Sequence, residues 1–188
     1  MISLGIAALA LAIWLGLLFG NGGFWLARER DTVGIPGDPP AWPNVVAIVP
    51  ARDEADVIAA SIGSLAAQDY PGDFRIILVD DNSSDGTAAT ARSIGADGLT
   101  ILPGKPLAAG WTGKLWAVSQ GIEAAGAPTY LWLTDADIAH APDTLRSLVA
   151  RAEGRQLVLV SLMAKLRCDT VAERMLIPAF VFFFQTLY

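Results

Sequence analysis

The stretch Ile77-Leu78-Val79-Asp80-Asp81-Asn82-Ser83-Ser84-Asp85-Gly86-Thr87 changes character halfway along. Apolar residues suited to a buried strand give way to acids, hydroxyls and a glycine suited to a turn, and the turn leads into a short helix. Asp81 therefore stands just outside the end of a buried strand, where a carboxylate can accept hydrogen bonds from a base or a sugar. Ser84 or Asp85 can supply an Asx-type turn and a helix cap, and for Asp85 that structural role is the expectation.

The same switch recurs on both sides of this stretch. Upstream, Val45 to Val49 is a β-branched run bounded by Pro43 and Pro50, and from Asp53 onward Val57, Ile58, Ile62 and Leu65 fall at helical spacing. Asp53 or Asp56 is the expected cap of that helix. Downstream, Leu99 to Leu102 predicts a third strand, Leu115 to Ala125 a helix and Tyr130 to Leu133 a fourth strand. Thr144 to Ala152 then reads as a helix and Leu157 to Met163 as a fifth strand. Such alternation specifies an α/β fold with a largely parallel sheet and helices on its faces. Right-handed crossovers then gather the C-terminal strand ends along one edge, which is where open sheets bind ligands.

Two further motifs lie at that edge. Leu133-Thr134-Asp135-Ala136-Asp137 places two carboxylates one residue apart beyond the fourth strand. If the strand continues they project the same way and repel, unless a cation lies between them. A divalent Mg²⁺ or Mn²⁺ held by one or two carboxylates and completed by phosphates and water answers that need. Gly110-Trp111-Thr112-Gly113-Lys114-Leu115-Trp116-Ala117 comes after the turn Pro103-Gly104-Lys105-Pro106. With Thr112 or Gly113 as cap, Lys114 falls in a first helical turn, so free N–H groups and an ammonium converge on one anion site. Leu115 is next after the lysine, so this is not a Walker loop. Leu115, Val118 and Ile122 read as core. His140 is left outside the metal set, and Cys168 reads as a small core residue.

Composition narrows the function. The 188 residues are 53% hydrophobic and 17% charged, with mean hydropathy +0.45, more apolar than an ordinary soluble domain. A net charge of -6 disfavours nucleic acid as a partner, and a single cysteine excludes an intrachain disulfide or a cysteine-based zinc site. The apolar excess sits at the ends. Ile2 to Gly20 is nearly unbroken apolar sequence, about 29 Å long as a helix, and reads as a transmembrane anchor with Trp14 and Trp25 near its boundaries. A cleaved signal peptide fits less well, because no Lys or Arg precedes the run. Arg28 and Arg30 on its C-terminal side place the remainder of the chain in the cytoplasm.

Met175 to Tyr188 is also uncharged but, at about 21 Å as a helix, too short to span, and Pro178 is expected to interrupt it. It is read as an interfacial segment or the start of a longer apolar element, with Lys165, Arg167 and Arg174 able to meet anionic headgroups. Asp169 and Glu173 read as capping residues. The expected organisation is an anchor over 1–27, a linker over 28–43, a core over 44–167 and a hydrophobic segment over 168–188, truncated at its C-terminal end.

Taken in order, V-A-I-V-P-A-R-D-E-A-D-V-I (Val46 to Ile58), I-L-V-D-D-N-S-S-D-G-T, G-K-L-W-A (Gly113 to Ala117) and L-T-D-A-D resemble family 2 glycosyltransferases with the GT-A fold. The resemblance covers about residues 44 to 167. G-W-T-G-K-L-W-A after a Pro-Gly turn, with the N-terminal anchor, is similar to the membrane-bound subgroup associated with hopanoid biosynthesis.

The resemblance implies that Pro50, Ala51, Arg52, Glu54 and Asp81 hold the nucleotide of a sugar donor, with Asp81 at the base and a UDP-sugar as the expected donor. It implies that Asp135 and Asp137 carry the donor diphosphate through a divalent metal, with Lys114 beside it, and that transfer to a lipid or other hydrophobic acceptor is inverting. Asp53 and Ser119 stand where many members have Asn. The family's later acidic motif, which carries the catalytic base, is not found before Tyr188, so the base is expected beyond it. Two other readings compete. A sugar-phosphate nucleotidyltransferase would carry G-x-G-T-R where this chain has Pro50-Ala51-Arg52-Asp53-Glu54, and a non-catalytic Mg²⁺-binding regulatory module would need neither the second acidic pair nor the G-K-L-W segment.

Overall fold

The computed structural model describes residues 2–20, 23, 26, 34, 36–166 and 168–187. The chain forms two compact units, one made of Ile35–Ser161 and the other of Met1–Gly34 with Leu162–Tyr188.

The first unit is built on four parallel strands: β1 (Val45–Ala51), β2 (Phe74–Asp80), β3 (Leu99–Pro103) and β4 (Tyr130–Leu133), in the order β3-β2-β1-β4. The register runs Val45 to Phe74 on one side of β1 and Val45 to Tyr130 on the other. Strands buried on both faces need apolar residues at every position, and Val45 to Val49 of β1 and Ile76 to Val79 of β2 supply them. Ala47, Val49, Ile76 and Leu78 face one layer, where they meet Ile58, Ile62 and Leu65 of α2 (Ile58–Ala66) and Ala91 of α3 (Thr87–Ser93). Val46, Ile48, Ile77 and Val79 face the other, against Ala117 and Ala125 of α4 (Gly113–Ala125). A third cluster joins Val45 to Leu145 and Val149 of α5 (Thr144–Arg155).

One glycine sets the spacing of the α4 layer. A Cβ at Gly121 would lie 2.5 Å from Ile48 Cγ2 and 3.2 Å from Val79 Cγ2, so the helix backbone rests directly on β1 and β2.

Four of the five expected strands are present. Leu157 to Met163 is not a strand; after α5 the chain turns through Gln156 in the left-handed region (φ 54°), and residues 157–166 have no regular structure. Leu157 to Val160 line an apolar groove with Tyr130, Trp132 and α5 instead of pairing with an edge, and Val158 and Leu159 stay exposed. The α2 cap is also different from expectation. Val57 holds the N-cap position without a side-chain hydrogen bond, and neither Asp53 nor Asp56 serves there.

In the second unit, α1 (Ile2–Leu15) continues as a π-helix over Gly16–Gly20, and α6 spans Val171–Leu187. Trp14 and Phe182 bring α1 and α6 together, with ring centroids 5.6 Å apart. Among the described residues no helix is long and apolar enough to cross a membrane, so the expectation of a transmembrane helix over Ile2 to Gly20 finds no support there: its regular α-helix has 14 residues, about 21 Å. Pro178 lies inside α6 and does not end it. Glu173 accepts the Asp169 and Thr170 N–H groups while the Thr170 hydroxyl accepts that of Glu173, a capping box with Thr170, not Asp169, at its head. Cys168 is half-buried. Trp25, Arg28, Arg30 and Arg167 lie outside the described residues.

Candidate functional site

The C-terminal ends of β1, β2 and β4 open onto a cleft of about 300 Å³. Pro50, Ala51, Arg52, Glu54, Asp81, Lys114, Asp135 and Asp137 all line it, so every residue singled out for donor or metal binding meets in one place. Gly113, Ala117 and Ala136 complete the lining.

Two loops form one wall, and five hydrogen bonds tie them together. The Asp53 N–H donates to Ser83 Oγ (3.0 Å), and the Asp53 carboxylate accepts from the Ser84 N–H (2.7 Å) and hydroxyl (3.2 Å). The Glu54 N–H donates to the buried Thr87 hydroxyl (2.9 Å), and the Ala55 N–H to Asp85 Oδ2 (2.9 Å). Asp85 Oδ1 also accepts from the Thr87 hydroxyl (2.6 Å) and N–H (3.0 Å), so its role is structural, as expected. These bonds, the Thr87 hydroxyl first and then the Ala55 N–H, hold the Asp85 carboxyl below its ordinary pKa. Asp53 itself adopts φ 54°, a left-handed conformation that Asp tolerates better than most residues. Sequence spacing gives no sign of this stitching; Asp53, expected as a cap, is a clamp between loops.

Asp81 occupies a slot between two glycines. A Cβ at Gly104 would come within 3.0 Å of Asp81 Cα, and one at Gly113 within 3.1 Å of its Oδ2. Its largely buried carboxylate faces Arg52 at 3.7 Å. Behind Gly104, the Lys105 N–H donates to Gln120 Oε1 (2.7 Å) and the Trp116 indole N–H to the Lys105 and Pro106 carbonyls (3.2 and 3.0 Å). The G-K-L-W segment thus holds its own preceding turn in place.

The opposite wall carries the phosphate and metal candidates. Thr112 takes the N-cap position of α4 as expected, though without a side-chain hydrogen bond, and Lys114 falls in the first turn. Lys114 Nζ lies 2.7 Å from Asp135 Oδ1. Asp135 and Asp137 come directly after the end of β4, positioned by the Thr134 N–H donating to the Ile48 carbonyl (3.2 Å) and by Thr134 Oγ1 meeting His140 Nε2 (2.9 Å). His140 packs against Trp132, 4.6 Å between centroids, and burial lowers its pKa. It is a structural histidine, outside the cleft lining.

The electrostatics of the cleft favour a cation. Arg52 and Lys114 are two cations against the four carboxylates of Glu54, Asp81, Asp135 and Asp137, which leaves -2 when all are ionised. Burial first, then Asp137, Asp56 and Asp85, raise the pKa of Glu54, while Lys114 opposes them. Among the described residues no group of three or more His, Cys, Asp or Glu converges to hold a metal by itself. Asp135 and Asp137 therefore fit a divalent ion that takes one or two protein carboxylates and completes its shell with phosphate and water.

Residues 46–186 match the family described as Glycosyl transferase family 2. Among solved structures, a mannosyltransferase from Pyrobaculum calidifontis, in complex with GDP-Man and Mn²⁺, is 27% identical with a TM-score of 0.58, covering 77% of this chain and 43% of that one. TarS of S. aureus (residues 1–349) is 23% identical with a TM-score of 0.51, covering 60% and 33%, which speaks to the fold. This chain thus spans less than half the length of the solved structures it matches. No curated protein matches it.

Proposed function

The chain belongs to glycosyl transferase family 2, and on that premise we propose that its cleft binds a nucleotide-sugar donor whose sugar is transferred to a lipid or other hydrophobic acceptor with inversion. The observation that carries this reading is the meeting of Arg52, Asp81, Lys114, Asp135 and Asp137 in one cleft at the strand ends. The family match leaves the nucleotidyltransferase and regulatory-module readings without support.

In this reading Asp81, in its glycine-walled slot, accepts hydrogen bonds from the base, and Arg52, Glu54, Pro50 and Ala51 line the nucleoside side. Lys114 and the free N–H groups of the first turn of α4 offset charge that grows on the departing diphosphate. Asp135 and Asp137 would hold a Mg²⁺ or Mn²⁺ ion, which supplies Lewis-acid stabilisation to that leaving group when bound.

A membrane setting is supported by α1. Leu4, Ile6, Leu9, Leu11 and Ile13 point in several directions around the helix and are 55–76% exposed. A protein partner covers one face of a helix, whereas lipid surrounds it. The exposed Met175, Leu176, Phe180 and Phe183 of α6 extend the argument to the helix that Trp14 contacts. The G-W-T-G-K-L-W-A segment supports a hopanoid-type acceptor, with the core on the cytoplasmic side of a bacterial inner membrane.

The test is calorimetric titration of UDP, GDP and their sugar conjugates into detergent-solubilised protein, with Mn²⁺, with Mg²⁺ and with EDTA. Metal-dependent binding of one nucleotide, lost in Asp81→Ala and Asp137→Ala, is the expected result. Absence of binding in every condition would overturn the reading. The mannosyltransferase neighbour makes GDP-mannose the first conjugate to set beside a UDP-sugar.

A further inference from the structure

The Lys114–Asp135 ion pair joins the two groups that the donor reading assigns to different partners, the ammonium to phosphate and the carboxylate to metal. At 2.7 Å the contact is a hydrogen-bonded pair, yet both side chains are at least half exposed (61% and 50%). A pair of this kind is worth about 0–1 kcal/mol, so it forms readily and breaks readily.

The charge balance of the cleft says what would break it. With Arg52 on Asp81 and Lys114 on Asp135, the carboxylates of Glu54 and Asp137 remain as the excess negative charge. A nucleoside diphosphate, itself strongly anionic, meets net repulsion there unless a cation enters with it. A divalent ion meets the reverse difficulty, because one of its two candidate ligands already carries an ammonium and no third carboxylate among the described residues converges to compensate. Each ligand alone faces an obstacle that the other removes.

We propose that Lys114 is a resident stand-in for the metal: it neutralises Asp135 in the free protein, yields Asp135 to the divalent ion and turns to the incoming diphosphate. Donor and metal binding are thereby coupled through one side chain. This inference rests on the donor-binding reading above. Its thermodynamic content is reciprocal, since whatever factor the nucleotide adds to metal affinity the metal must add to nucleotide affinity. Lys114 is on this account a positioning residue whose two partners are occupied in turn.

The experiment is a Mn²⁺ titration read by the paramagnetic resonance signal of free Mn²⁺, on the full chain in detergent. Mn²⁺ is added alone, then with GDP and with UDP. Lys114→Met vacates Asp135, Lys114→Arg keeps a cation on it, and Lys105→Met removes a charge that is paired elsewhere, with Glu123 at 3.4 Å. Lys114 is exposed in a first helical turn, so its replacement leaves the core untouched. Expected is that Lys114→Met binds Mn²⁺ alone about two- to fivefold tighter than the wild type, while Lys114→Arg and Lys105→Met do not. The gain in Mn²⁺ affinity brought by the nucleotide should shrink in Lys114→Met by a similar factor.

Mn²⁺ affinity that is unchanged or weaker in Lys114→Met overturns the proposal, as does an equal gain in Lys105→Met, which would reduce the effect to overall charge. Failure of the wild type to bind either nucleotide under any condition overturns the donor reading instead. The comparison with Mn²⁺ alone is made without nucleotide and still decides the exchange.

Discussion

The two walls of the cleft are held by different means. The β1–α2 and β2–α3 loops are stitched by five hydrogen bonds, with Thr87 fully buried at the centre. The gap between α4 and the end of β4 is bridged by the half-exposed Lys114–Asp135 pair. The first wall is the more rigidly held, which on the proposed reading suits recognition of a flat, rigid base. The second can exchange partners at little cost, which on the proposed reading suits a site that admits and releases diphosphate and metal. A cleft of this kind divides its work between a fixed half and an exchangeable half.

The largest expected effect strikes the exchangeable half. Asp137→Ala should weaken metal-dependent nucleotide binding by about 100-fold or more, since even residues that only support a metal ligand are worth roughly 10- to 100-fold. Calorimetry with and without Mn²⁺ measures it, and unchanged affinity would remove Asp137 from the metal site. The fixed half should answer in stability. Thr87→Val strands the Glu54 N–H and one partner of Asp85, costing about 1–3 kcal/mol by denaturant unfolding, and a neutral result would mean that the wall does not depend on this bond.

A smaller, pH-dependent effect is expected behind Asp135. Burial lowers the pKa of His140, so the folded state favours the neutral ring. Its contribution to stability is complete above the ordinary value of 6.5 and is lost as pH falls through the lowered one. His140 is the only histidine, so its ring proton resonances report the midpoint directly, and a value at or above 6.5 would contradict the buried setting. The smallest effect sharpens the contrast between the walls: Lys114→Met should change unfolding stability by less than about 0.5 kcal/mol, because an exposed pair contributes little.

Legibility in the sequence divides along the same line. Apolar runs mark β1 to β4, rich in β-branched residues in β1 and β2, and the switch to polar residues after β1, β2 and β4 locates cleft residues, because a parallel sheet must bring those ends to one edge. Leu157 to Met163 departs from expectation because its apolarity is real but strand pairing depends on a partner edge, which local pattern does not report. The stitching through Asp53, Ser84 and Thr87 is equally hidden. It joins residues about 30 positions apart and turns on a left-handed Asp53, so the side chain expected to cap a helix points across to another loop. The Lys114–Asp135 pair is of the same kind: each residue is marked for a ligand, and their contact with each other is a property of the assembled sheet.

Gly121 gives the cleft its gauge. It lies seven positions from Lys114, about 10 Å along α4, and its missing methyl lets the helix seat on Ile48 and Val79. Were that methyl present, the 2.5 Å approach to Ile48 would force the helix or the strand to give way, and the reach of an ammonium two turns distant would change with it. The calibration of the Lys114 end of α4 is thus kept in the hydrocarbon layer of the fold, where an atom's absence serves as the reference length.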